Sequence, residues 1–312
     1  MPIATPPQDV AAEVRALSAA LDVEVPAATG ANLLIATWNI RALSGLTQSW
    51  SSGTTDSPKR DWHAITCIAE VVARFDVVAV QETRRTTTAL RALLGILGPA
   101  WQMICSDVTE GPRGNGERLA YLYNSQRVSP SGLVGEIVLP PQASGAVSQF
   151  ARSPYVASFT RGEAEFTLAT VHLIWGDKAS DRLPEVTAFA EWMRSWADRR
   201  DDFNSNLLVL GDFNLDRVGD PLFEAFLATG LWPPAELNAV PRTIFQTTNK
   251  PHLYDQIAWF STPDGAALLE SLTYTGRAGG FRFLPYVYPG RTRTGVSWRI
   301  SDHYPLWVEF RV

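Results

Sequence analysis

Short apolar runs that stop at polar residues recur along this chain. Leu33 to Trp38, Val77 to Val80, Leu119 to Tyr123, Phe166 to Val171, Leu207 to Leu210, Tyr254 to Phe260 and Leu306 to Phe310 read as strands, several of them buried on both faces. Length and spacing predict helices over Trp62 to Phe75, Thr88 to Leu97 and Pro184 to Arg199. Ahead of these, Val10, Val14, Leu17 and Leu21 recur at helical spacing, so Asp9 to Val23 is expected to be a short amphipathic helix, followed by a linker over Pro26 to Ala31. The chain therefore divides into a helical arm with its linker, residues 1–31, and one mixed α/β domain, residues 32–312. Deletion of the arm is expected to be tolerated unless its apolar stripe docks on that domain. No internal repeat or low-complexity tract interrupts the pattern.

The informative residues stand where the strands stop. Asn39 follows the first, Gln81-Glu82 the second, His172 a middle one and Gly211-Asp212-Phe213-Asn214 the fifth; Asp255 opens another, and Ser301-Asp302-His303 precedes the last. A sheet gathers its strand ends along one edge, so these groups can converge although they are far apart in sequence. Isolated polar residues at strand ends are usually turn formers, but six such events, all carboxylate, amide or imidazole, ask for a chemical reason. The chain has only four histidines, and two of them belong to this set. The other two, His63 in an apparent helix and His252 beside a proline, read as structural or solvated.

Composition narrows the class. With 46% hydrophobic and 19% charged residues in 312, the chain has ample material for a core. No apolar run approaches the roughly 20 residues that cross a bilayer, and no signal peptide is visible, so the expected location is the cytoplasm and the expected state a monomer. Cys67 and Cys105 have neither metal-site spacing nor the density of a disulfide framework; each is expected to be a buried free thiol. The net charge of −5 argues against a protein coated in nucleic acid, yet a local basic rim can still steer a phosphate.

Glu82, Asp212 and Asp302 offer hard oxygen ligands, with Asn39 and Asn214 as neutral partners, a set that Mg²⁺ prefers. Cysteine is absent from it, which disfavours structural zinc. Two imidazoles titrating near neutrality can divide the work of base and acid. Metal plus two imidazoles suits phosphoryl chemistry.

The motifs Thr-Trp-Asn39-Ile-Arg41, Val-Gln81-Glu82, Thr-Val-His172-Leu, Leu-Gly-Asp212-Phe-Asn214, Tyr-Asp255-Gln-Ile and Ile-Ser301-Asp302-His303-Tyr-Pro occur in this order over Leu33 to Val312. In them the chain resembles the endonuclease/exonuclease/phosphatase family, and within it the deoxyribonuclease I-like branch, to which Glu117-Arg118-Leu-Ala-Tyr-Leu-Tyr and Arg152-Ser-Pro154 are also similar. The resemblance implies a four-layer α/β sandwich, two packed mixed sheets flanked by helices, with residues 32–312 as the catalytic domain. It implies a hydrolase that cleaves DNA endonucleolytically by in-line water attack. Glu82, Asp302 and Asn39 would hold Mg²⁺ or Mn²⁺, and Asp212 and Asn214 would position the nucleophile. His172 and His303 would act as acid and base, paired with Glu117 and Asp255. Arg152, Arg41, Arg84 and Asn39 would contact the substrate.

The chain departs from that branch in three places. Asn115 stands where the branch carries a DNA-stacking tyrosine, its disulfides are missing, and Trp175-Gly176-Asp177-Lys178 after His172 does not copy it. Sphingomyelinase-like or inositol-phosphate phosphatase-like chemistry is the alternative within the family, and a binding module that has lost catalysis is the alternative outside it. Arg277 to Arg299 holds five arginines, no acid, and Phe281, Phe283, Tyr286, Tyr288 and Trp298. That mixture suits either a nucleic-acid contact or a solvated loop.

Overall fold

The strands anticipated from apolar runs form, and most continue into the polar residues behind them. The computed structural model describes residues 5–140, 149–199, 201–246, 252–262 and 264–312. In its first half, β1 spans Asn32–Leu43, β2 Val77–Arg84, β3 Trp101–Cys105, β4 Glu117–Asn124, β5 Ser129–Glu136 and β6 Tyr155–Arg161. In its second half, β7 spans Ala164–His172, β8 Leu207–Leu215, β9 Leu231–Trp232, β10 Leu253–Phe260, β11 Thr273–Gly280 and β12 Leu306–Arg311. The helices are α1 (Gln8–Glu24), α2 (Trp62–Val72), α3 (Thr88–Leu97), α4 (Gly111–Gly114), α5 (Ala179–Ala197), α6 (Pro221–Leu227) and α7 (Arg293–Ser297).

Two six-stranded sheets result, ordered β11-β12-β1-β2-β4-β3 and β5-β6-β7-β8-β10-β9. Each holds one parallel pair at its centre, β1 with β2 and β7 with β8. Strand alternation then sets the layers. Leu33 and Ile35 of β1, Val77 and Ala79 of β2, and Leu208 and Leu210 of β8 pack between the sheets. Their neighbours point outward. Leu34, Ala36, Val78 and Val80 meet Leu17, Ile65, Ile68 and Leu90 of the first helical layer. Val171, Val209 and Phe213 meet Val186, Phe189 and Phe226 of the second. This is the expected four-layer sandwich.

Local chemistry fixes several element ends. Asp61 caps α2 by accepting from Ala64 N at 3.0 Å, and Asp220 caps α6 by accepting from Phe223 N at 2.9 Å. The helix expected to end at Phe75 stops at Val72, and the one expected to start at Pro184 starts at Ala179. A proline favours the first helical turn, but here Asp181 accepts from Lys178 N at 3.1 Å and starts the helix a turn and a half earlier.

The arm is docked. Leu17 and Leu21 are fully buried, and Glu13 reaches His63 Nε2 at 3.0 Å and accepts from Tyr288 N at 2.8 Å. The condition under which its deletion matters is therefore met, and His63 is structural. Both cysteines are free, but Cys105 is only half-buried. Most of the Arg277 to Arg299 segment's aromatic side chains are buried rather than displayed on a solvated loop. The segment begins inside β11, Phe281 and Phe283 are fully buried, and the Tyr288 hydroxyl donates to Asp61 at 2.6 Å. These rings belong to the core because they cover the outer face of β1 around Trp38. Of the segment's aromatic residues Trp298 is exposed, and of its arginines Arg277, Arg282, Arg291 and Arg293 are exposed while Arg299 is buried. No helix among the described residues is long and apolar enough to cross a membrane.

Candidate active site

Sheet register brings the polar strand ends together. His172 of β7 pairs with Asp212 of β8, and Asp212 pairs with Asp255 of β10, so three functional side chains stand abreast on adjacent strands. On the other sheet Asn39 of β1 pairs with Gln81 of β2, and Glu117 of β4 lies beside Arg84. The approach of β7 to β8 requires Gly211. Its φ is +135°, and a Cβ there would lie 2.2 Å from the Val171 carbonyl oxygen. Asn214 follows in the left-handed region, φ +53°, held by its N–H to Asp212 Oδ1 (3.0 Å) and its amide to Leu173 O (2.8 Å).

Both histidines carry a buried carboxylate on Nδ1. Glu117 Oε2 lies 2.8 Å from His172 Nδ1, and Asp255 Oδ2 lies 2.7 Å from His303 Nδ1. Their Nε2 atoms then face one acceptor, Asp212 Oδ2, at 3.7 and 4.0 Å. The electrostatics follow from this arrangement. Burial would push Glu117 up, but His172, Arg152 and Arg84 outweigh it and hold the carboxyl down at about 2. Burial would likewise lower His303, yet Asp255, Asp212 and Asp302 raise it to about 10. His172 is raised too: burial opposes this, Glu117 and Asp212 favour it, and Arg152 works against it.

A second oxygen-rich group adjoins this centre. Asn39 donates its amide to Glu82 Oε1 (3.2 Å) and to Asp212 Oδ2 (3.0 Å). Glu82 sits at φ +58°, an unusual conformation for a non-glycine residue, and accepts from Ala42 N at 2.9 Å. The Ser301 hydroxyl donates to Asn39 O (2.6 Å) and accepts from His303 N (3.0 Å), which ties the Asp302 turn to β1. Asn39 Oδ1 and Asp302 Oδ1 are buried without a hydrogen-bond partner. Orphaned oxygens beside the Glu82 carboxylate suit a hard divalent cation. Asp212, Asp255 and His303 also offer ligand atoms within 4.8 Å of one another. Asp255 Oδ2 in that trio is already engaged by His303 Nδ1.

The arginines divide by environment. Arg152 is nearly buried, with Nε 2.7 Å from Glu117 Oε2 and Nη1 donating to His172 O at 3.3 Å, so it braces the Glu117–His172 pair. Arg84 lies 3.4 Å from Glu117 Oε1 and 3.9 Å from Glu82 Oε2, a quarter exposed. Arg41 reaches Asp302 Oδ2 at 3.1 Å and lies over Trp298, 3.8 Å from the ring centroid. His252 is half-exposed, 3.4 Å from Asp216.

Three supporting residues escape sequence reading because their partners are mostly backbone atoms. Arg60, fully buried, donates to the carbonyls of Arg41, Ala42, Arg299 and Ile300 at 2.7–3.0 Å, clamping the two segments that carry Asn39 and Asp302. Burial lowers it to about 10, against the pull of Glu82. Glu185 accepts from Ala151 N and Ile174 N, joining the Arg152 segment to the loop after His172. Arg182 donates to Asn214 O at 2.6 Å.

The model of the Endonuclease/Exonuclease/phosphatase family matches residues 36–303. Over 309 residues the chain is 29% identical to a protein named deoxyribonuclease from Thioalkalivibrio sp. (strain K90mix), covering 93% of this chain and 74% of that one. The fold is similar to that of the Bacteroides thetaiotaomicron mannosyl-6-phosphatase, at 20% identity and a TM-score of 0.59, covering 89% of this chain and 99% of the other. D. rerio TDP2, in a structure with a single-strand DNA product, is 14% identical with a TM-score of 0.58 over 90% of this chain and 99% of its own. The matched span takes in every strand end described above, from Asn39 to His303, and the chain accordingly belongs to the endonuclease/exonuclease/phosphatase family.

Proposed function

We propose that this phosphoesterase cleaves phosphodiester bonds of DNA endonucleolytically, using Mg²⁺ or Mn²⁺. The observation that carries the reading is the pair of carboxylate-held imidazoles whose Nε2 atoms face one oxygen of Asp212. In-line displacement at phosphorus needs a proton taken from water on one side and a proton given to the leaving oxygen on the other. Two imidazoles of fixed tautomer that converge on one acceptor serve that need. His303, which three carboxylates keep protonated, donates to the leaving oxygen. His172, held by Glu117, takes the proton of the attacking water. Asp212 and Asn214 orient that water and the equatorial oxygens.

Glu82, Asp302 and Asn39 are the residues that would hold the cation. Once bound, it would neutralise charge on the non-bridging oxygens. Arg41 and Arg84, both partly exposed beside these acids, favour a polyanion over a lone phosphate ester. The relative named deoxyribonuclease agrees with a DNA substrate. The test is turnover of plasmid DNA, single-stranded DNA, RNA, sphingomyelin and inositol phosphates in parallel with Mg²⁺ or Mn²⁺. Cleavage of DNA that chelation abolishes is expected. Turnover of a lipid headgroup or inositol phosphate with every nucleic acid intact would overturn the reading.

A further inference from the structure

Exposed aromatic rings are few and unevenly placed. Among the described residues, five aromatic side chains rank as exposed: Trp175, Phe203, Trp232, Phe245 and Trp298. Three of these border the reaction centre, each on a different segment. Trp175 lies three residues beyond His172 and meets Tyr254 edge-on at 5.6 Å, and Tyr254 is itself 6.1 Å from the His303 ring. Trp298 carries Arg41 on its face, and that arginine bonds Asp302. Phe245 follows Ile244, whose N–H donates to Asp302 O at 2.8 Å, in the segment that bridges Thr243 to His303.

Solvating a tryptophan that could be buried is unfavourable, and the segment bearing Trp175 is built to hold it there. Ile174 N is fixed by Glu185, and Lys178 N by Asp181 at 3.1 Å. Gly176 lets the turn close, because a Cβ there would lie 2.6 Å from that of Asp181. Arg182 lies over the Trp175 ring, 5.2 Å from its centroid. The ring is oriented, yet the residue remains 56% exposed, and Trp298 47%.

We propose that Trp175, Trp298 and Phe245 are stacking platforms for unpaired nucleobases on either side of the scissile phosphate, making a single strand the preferred substrate. This rests on the nuclease reading above and specifies its substrate. Every base has a π-face, so such rings bind a strand without reading its sequence. A duplex buries those faces in its own stack and offers them only after unstacking. Arg41 and Arg84 supply the cations that the phosphates between stacked bases require.

The test compares kcat/KM of the full chain with Mg²⁺ on one oligonucleotide as a single strand, as a duplex, and as a single strand with abasic nucleotides flanking the cleavage point. The single strand should be cut at least about tenfold more efficiently than the duplex, with a similar loss on the abasic strand. Trp175→Ala and Trp298→Ala should each lower kcat/KM on the normal strand about five- to tenfold through KM, and Trp175→Phe should restore most of the loss. The losses from removing the ring and removing the bases should not add. Unchanged melting temperatures separate this from misfolding. Equal cleavage of duplex and strand, alanine variants that match wild type, or fully additive losses would overturn the proposal while leaving the nuclease reading intact. Cleavage of no nucleic acid, with turnover of sphingomyelin vesicles, would overturn both.

Discussion

At the scale of single residues, each imidazole depends on the buried carboxylate at its Nδ1. Asp255 sets both the tautomer and the charge of His303, so Asp255→Asn should lower kcat by about 10²- to 10⁴-fold while the fold persists. The sign of the pH effect is fixed. His303 is held at about 10 chiefly by Asp255, so replacing it drops the imidazole towards its ordinary range near 6.5. The alkaline limb of the kcat profile should therefore move to lower pH in the variant; an unmoved limb would show that His303 does not donate the proton. Stability follows the same linkage. The His303 contribution is complete below about 6.5 and lost as pH rises through about 10. That of Glu117 is present above about 4.5 and lost as pH falls towards about 2. The residues that do this chemistry were legible because chemistry restricts residue type. Arg60 and Glu185 were not, since a long polar side chain that bonds backbone carbonyls or amides across the fold leaves no local pattern.

At the scale of elements, the sheet ends are as important as the side chains they carry. Gly211→Ala would force a methyl group into the Val171 carbonyl at a backbone angle that only glycine adopts readily. It should cost several kcal/mol or abolish soluble expression, and a stable, active variant would contradict the register described for β7 and β8. The docked α1 is a second case. Leu21→Ala should lower the unfolding free energy by about 2–5 kcal/mol in urea titration, as for any leucine removed from a packed core. No change would mean that the arm detaches in solution. Strand recognition from sequence failed in a consistent way. β3, β5, β9 and β11, all unanticipated, occupy the four sheet edges. An edge strand buries less, so glycine and polar residues such as those of β5 and β11 mask the apolar signal that marks a central strand. β6 lies inside its sheet and escaped because Ser158 interrupts its short apolar run.

At the scale of the whole molecule, the two sheets each supply part of the centre. Asn39, Glu82 and Glu117 come from one, His172, Asp212 and Asp255 from the other, and His303 enters on the turn before β12. Packing of the two inner faces thus assembles the site, which explains why its members spread over most of the sequence. The order of motifs made the fold class readable, whereas the placement of Trp175, Trp298 and Phe245 around one centre emerged only when three separate segments met. The central claim is that both imidazoles act on a phosphodiester in a metal-dependent reaction. Its most direct test is single-turnover cleavage of single-stranded DNA with Mg²⁺ by wild type and by His303→Ala, each also with a chelator. The account predicts cleavage by wild type that the chelator abolishes, and a loss of about 10²- to 10⁴-fold in the variant; a variant as fast as wild type would contradict it.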